Sequence, residues 1–160
     1  MKRALAGALV GLLAVLGSPA RDARGEGTAP APEAPAAKES VVGLSVRGAH
    51  RAYPAALFAQ RRVVNDVIGD MEVAVFHDPE RGLSAAWFRI VLGEPIEFSG
   101  TAAGSVAEDL TTITRGDLAT GVAVGGNLQG QRLAPLPVLM TSWDGWAATH
   151  PNTQVYREER

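Results

Sequence analysis

From residue 40 onward, apolar and β-branched stretches of strand length are separated by turn residues. The clearest covers residues 41–47, where Val42, Leu44 and Val46 alternate with Gly43, Ser45 and Arg47 in the two-residue period of a half-buried strand. Gly48-Ala49 predicts a hairpin into a second strand at 50–53, and Pro54, suited to the first position of a helix, opens a helical turn through Gln60. Val63 and Val64 run into turn signals at Asn65-Asp66 and Ile68-Gly69-Asp70, ahead of a strand at 71–76. A loop is expected at 77–82, set by Asp78-Pro79 and Arg81-Gly82, and a strand at 83–92 ends at Gly93-Glu94-Pro95.

Further strands are predicted at 96–99 and 109–114, and a weak one at 120–124, with a loop at 100–107 and turns at Gly116-Asp117 and 125–127. Thr141 or Ser142 is placed to cap a helix through Thr149, which His150-Pro151 ends because a residue before proline is pushed out of helical geometry. Trp143 and Trp146, three apart, share one side of that helix, and one of them is expected to anchor it to a sheet. Residues 155–156 supply a closing strand. Six or more short strands with one or two brief helices predict a mainly β fold, a compact antiparallel β domain with short helices, in the range 40–160.

Ahead of this domain the pattern changes twice. Lys2 and Arg3 precede a small-apolar run from residue 4 to 16, followed by Gly17, Ser18, Pro19 and Ala20, the three-part pattern of a secretory signal over residues 1–20. The run is short of the roughly 20 apolar residues that a spanning helix needs. Cleavage after Ala20 is expected; kept uncleaved, the segment would serve as an N-terminal anchor. Residues 21–39 are rich in Ala, Pro and Glu, with Pro30, Pro32 and Pro35 closely spaced, and read as a disordered linker or, failing that, a proline-rich partner motif.

Composition narrows the chemistry. The chain has no cysteine, which removes disulfides, thiolate nucleophiles, thiolate metal sites and a lipid-bearing N-terminal cysteine. A net charge of −2 with interspersed signs carries no footprint for nucleic acid or anionic lipid. Export, to the periplasm or beyond the cell, is the expectation from the N-terminus.

Ala52-Tyr53-Pro54, Val64-Asn65-Asp66 and Val73-Ala74-Val75, followed by Gly126-Asn127-Leu128-Gln129-Gly130, Leu133, Leu136-Pro137, Ser142-Trp143 and His150-Pro151, resemble domain-of-unknown-function family 3179, a family of exported proteins. The resemblance runs from Val41 to Tyr156, and rests on the order and spacing of these pieces rather than on any one of them. It implies that the strand at Val73-Ala74-Val75 is followed by tyrosine and a cysteine-proline-x-cysteine-glycine loop, with tryptophan-histidine-glutamate ahead of the valine-asparagine-aspartate run. Two thiols and an imidazole would suit a soft metal ion or thiol–disulfide exchange. In this chain the loop reads Phe76-His77-Asp78-Pro79-Glu80-Arg81-Gly82, so Asp78 and Arg81 stand where the pattern has thiols, and Gln60, Arg61 and Arg62 replace the tryptophan, histidine and glutamate. Asp78 and Arg81 are expected to pair in the space the sulfurs would fill.

Of the remaining candidates, His77 beside Asp78 has the residue types of a base or metal ligand, with a partly exposed loop histidine as the plainer alternative. His50 and His150 would join a site only if folding brings them together. Ser84, His77 and Asp78 hold the residue types of a triad without its usual sequence context. Arg61 and Arg62 with Arg51 offer a small basic patch or solvated surface charge. Three functions follow. The first is a non-catalytic exported domain that binds or assembles, as an accessory subunit with a protein partner in the cell envelope, using His77, Asp78, Arg81 and Arg61 as a binding or degenerate site and no cofactor. The second is a metal, haem or redox accessory protein in which His77 and a distant ligand such as Met71 or Met140 take over. The third is a hydrolase needing His77 and Asp78 to converge.

Overall fold

The computed structural model describes residues 33–99 and 104–158. The expected signal (1–20) and the first part of the linker (21–32) lie outside the described residues. The domain is built from antiparallel strands, as expected. β1 (Ser40–Val46) turns through Arg47 and Gly48, both in left-handed backbone geometry, into β2 (Ala49–Pro54). The two residues with positive φ twist the hairpin in the sense its strands need, and Gly48 takes that conformation without a side-chain clash. A 3-10 turn (Ala55–Ala59) leads to β3 (Val63–Ile68), β4 (Met71–Asp78) and β5 (Leu83–Phe88), which form an antiparallel meander. β6 (Ile90–Val91) and β7 (Glu94–Pro95) make a short ribbon. β8 (Val106–Asp109), β9 (Thr114–Asp117) and β10 (Val122–Gly126) form a three-stranded sheet.

β11 (Ala134–Leu136) joins the edge of β5, and β12 (Val138–Ser142) joins the edge of β1. α1 (Trp143–Thr149) follows, and β13 (Gln154–Val155) closes the chain by pairing in parallel with β2. The first sheet therefore runs β12-β1-β2-β13 and the second β11-β5-β4-β3.

The two-residue period of the strands sorts their side chains into layers. Val42, Leu44, Val46 and Tyr53 of the first sheet pack on Val64, Ile68, Val73 and Val75 of the second. The opposite face of the second sheet, with Val63, Ala74, Phe76 and Trp87, packs on Ile96, Phe98, Ala107, Leu118 and Leu133. On the outer face of the first sheet Val41 and Ala52 are covered by Trp146 of α1. β4 is thus buried on both faces from Val73 through Asp78.

Four local expectations are corrected. Asn65-Asp66 lies inside β3 rather than in a turn, because both side chains find partners across the layers. Residues 109–114 are a hairpin tip, not a strand: the Asp109 carboxylate accepts from the backbone N–H groups of Thr111 and Thr112 and from the Thr112 hydroxyl, which closes the turn the threonines would otherwise extend. Gly116-Asp117 belongs to β9, not to a turn. His77 and Asp78 extend β4 by two residues instead of starting a loop.

The helix is capped by Ser142, whose hydroxyl accepts from the Gly145 N–H, and Trp143 N–H and Asp144 N–H donate to the carbonyls of Glu39 and Ala37. These last two bonds tie residues 37 and 39, expected to end the linker, to the start of α1. The anchoring tryptophan is Trp146, 2 % exposed, seated over Gly43 of β1; a Cβ at Gly43 would overlap its ring. Gly43→Ala is expected to destabilise the domain by about 1–3 kcal/mol, as overpacking of a close contact does. Chemical denaturation checks it, and a Gly43→Ala/Trp146→Leu protein should recover part of the loss.

Candidate functional site

The two pieces of chain where the resemblance places reactive groups, residues 60–62 and 77–82, do meet in space. Arg62 and Asp78 form a buried ion pair, with side chains 5 % and 3 % exposed, and the second guanidinium nitrogen of Arg62 reaches Glu80 Oε1 at 3.0 Å. The Asp78 Oδ1 atom also accepts from the backbone N–H of Glu80 at 3.0 Å and of Arg81 at 3.3 Å, so one carboxylate holds the turn after β4 and neutralises the arginine. Burial works against the charged form of Asp78, but these N–H groups and the Arg62 guanidinium hold its carboxyl below the ordinary carboxylate range.

Arg81, expected as the partner of Asp78, takes a lesser part. Its Nε lies 3.8 Å from Asp78 Oδ2 and its side chain is 68 % exposed. Arg62 wins because it immediately precedes β3, whose register with β4 sets it opposite His77 and next to Asp78, and the His77 N–H donates to the Arg62 carbonyl at 3.0 Å. Sequence proximity favoured Arg81; the pairing of β3 with β4 favours Arg62. In the resemblance, these two buried positions correspond to the glutamate and the first thiol, so the groups that replace them are adjacent and of opposite charge.

His77 and Asp78 are neighbours on one strand and point to opposite faces. The imidazole of His77 is 2 % exposed, meets the edge of the Phe58 ring with centres 5.5 Å apart, and shares a hydrogen bond from Nδ1 with Ser84 Oγ at 2.9 Å. Burial pushes its pKa below the usual value, so the ring is neutral. Ser84 and His77 therefore meet as cross-strand partners, while the acid a triad would need is on the far face, bound to Arg62. Met71 sits at the other end of β4, six residues from His77 and so about 20 Å along the strand, and Met140 lies on β12. Neither is brought to His77 by the fold, and no group of three or more His, Asp or Glu side chains lies together among the described residues.

The arginines do not form a basic patch. Arg51 is held by Asp66 at 2.7 and 2.8 Å, Arg61 by Glu158 at 2.6 Å, and Arg62 by Asp78 and Glu80. Arg61 instead lines a polar cleft of about 550 Å³ together with Gln60, Asn65, Glu97 and Tyr156. Its head is 38 % exposed, which makes it the most accessible of these three arginines.

The residues that carry the resemblance serve the frame. Asp66 accepts from the Tyr53 hydroxyl at 2.7 Å as well as from Arg51, and burial followed by this carboxylate pushes the Tyr53 phenol far above its ordinary pKa. Asn65 donates to the Phe98 carbonyl at 2.7 Å and accepts from the Phe98 N–H at 3.1 Å, acting as one more rung between β3 and the chain after the ribbon. Sequence reading missed Arg62 as the centre of the site; the signal available was the joint loss of the pattern's acid and thiol in favour of one cation and one anion.

A single change at this pair is expected to be severe. Arg62→Met leaves Asp78 buried without its counter-ion and should lower the melting temperature by on the order of 10 °C, whereas Arg62→Met/Asp78→Asn, which keeps an acceptor for the turn, should recover much of it. The pH dependence follows from His77. The unfolded chain regains a histidine pKa near 6.5 and binds the proton first as pH falls, so the stability that the neutral buried ring contributes is complete above that pH and is lost below it. Denaturation midpoints measured from pH 8 to pH 5 should fall for the wild type and fall less steeply for His77→Gln.

A family model described as "Protein of unknown function (DUF3179)" matches residues 27–160. No curated protein matches the chain.

Proposed function

The chain belongs to the DUF3179 family, and we propose that its domain is an exported, non-catalytic binding module, an accessory subunit held in a complex of the cell envelope. The observation that carries this reading is the buried Arg62–Asp78 pair. It fills, with two mutually neutralised side chains, the two positions where the resemblance has an acid and a thiol. A charge pair buried in this way is satisfied by its own partners and has little left to offer a substrate.

The second support is that His77 is neutral, enclosed and bonded to Ser84, so the remaining group with acid–base chemistry at this end of β4 faces the core. The third is the cleft beside Arg61, whose amide, carboxylate, phenol and guanidinium groups suit recognition of a polar segment by hydrogen bonds. The lysine-arginine start, apolar run and small-residue end at residues 1–20 support export to the periplasm or beyond.

Affinity purification from the native envelope fraction tests this reading. The expected result is a partner protein in fixed ratio, retained through gel filtration and lost from an Arg61→Glu variant that keeps the wild-type melting temperature. Recovery of the protein alone and monomeric would count against it.

A further inference from the structure

On the outer face of the first sheet, away from the Arg62–Asp78 pair, two imidazoles meet. His50 on β2 and His150, the residue that ends α1, lie 4.6 Å apart between ring centres, with their planes inclined by 59°. Both are half-buried. They come from opposite ends of the domain sequence, and they meet because α1 lies across β1 and β2 with Trp146 over Gly43.

Each ring is oriented through the same nitrogen. His150 Nδ1 lies 3.2 Å from the Trp146 carbonyl and 2.9 Å from Thr149 Oγ1, and the ring stacks on the Trp146 indole at 3.8 Å with planes 18° apart. A carbonyl only accepts, so the contact with the Trp146 carbonyl selects the tautomer that carries its hydrogen on Nδ1 and its lone pair on Nε2, with the Thr149 hydroxyl beside the same nitrogen. His50 Nδ1 meets the Ser45 hydroxyl at 2.5 Å, across the β1–β2 pair. Neither Nε2 has a hydrogen-bond partner among the described residues. Histidines that bind metal are held in this manner, by the second nitrogen, against a carbonyl or another fixed acceptor.

The spacing also fits. With metal–nitrogen bonds of about 2.0–2.1 Å and about 1.1 Å more from nitrogen to ring centre, two imidazoles at a right angle about one ion have centres about 4.5 Å apart. The carbonyls that end α1 add a partial negative charge beside His150, which favours a cation there. We propose that His50 and His150 form a two-imidazole site for a late first-row divalent metal ion, Cu(II) before Zn(II), with water or a ligand from outside the chain in the remaining positions. Imidazole nitrogen selects these metals, and copper stands highest in their affinity order. With two ligands from the protein, the ion is exchangeable. The site shares no residue with the cleft or with the buried pair, so its failure would leave the proposed function untouched.

The test is titration of the purified protein, prepared without a histidine tag, with Cu(II), followed by calorimetry and by proton NMR of the imidazoles. One equivalent is expected to bind, and substoichiometric Cu(II) should broaden the ring signals of His50 and His150 while sparing His77. His50→Gln and His150→Gln should each weaken binding at least tenfold. Since His150→Gln also removes a ring from Trp146, the wild-type broadening pattern is the measurement that does not depend on a variant folding. Binding by His50→Gln/His150→Gln equal to that of the wild type, or broadening that leaves both rings sharp, would overturn the assignment.

Discussion

Burial of β4 on both faces is the constraint on which the rest of this domain depends. From Val73 to Asp78 the strand is closed off from solvent between the first sheet and the layer formed by Ile96, Phe98, Leu118 and Leu133, so each polar side chain in this stretch needs its partner inside the protein. The apolar residues from Val73 to Phe76 meet the condition directly. His77 meets it by staying neutral and bonding to Ser84, and Asp78 meets it through Arg62 and two backbone N–H groups.

The same constraint explains why the pieces that carry the family resemblance are not the reactive ones. Tyr53, Asn65 and Asp66 sit where layers join, and each replaces a hydrogen bond that regular pairing cannot reach. Asp66 gathers Tyr53 and Arg51 between the first two sheets; Asn65 extends β3 to the Phe98 backbone on the other side. Removing one partner from such a set leaves the others buried and unpaired, which costs more than the bond itself contributes. At the two positions where the resemblance has an acid and a thiol, this chain carries a cation and an anion that satisfy each other, as a buried site requires.

Much of the fold was legible. The alternation at residues 41–47, the strand at 71–76 and the capped helix at 143–149 each follow from a local rule: a two-residue period, an apolar stretch that follows a turn signal, a hydroxyl before a helix and a proline after it. What misled were side chains with two local meanings. Asn65-Asp66 has turn chemistry, and Thr111 to Thr114 has strand chemistry; in the protein each is overridden by a partner distant in sequence or by a carboxylate that caps the turn. β12 carried no signal strong enough to predict it, since its position as the edge partner of β1 joins residues about a hundred apart.

The candidate site divides along the same line. The amino-acid sequence by itself determined the residue types at the thiol-loop positions, the absence of cysteine, the mainly β class and the family, because these depend on composition, period and order along the chain. Only the tertiary structure decided that Arg62 rather than Arg81 neutralises Asp78, that His77 and Asp78 turn away from each other, and that His50 meets His150. Those are distances between strands and layers, and they depend on register and packing, which a local pattern does not encode.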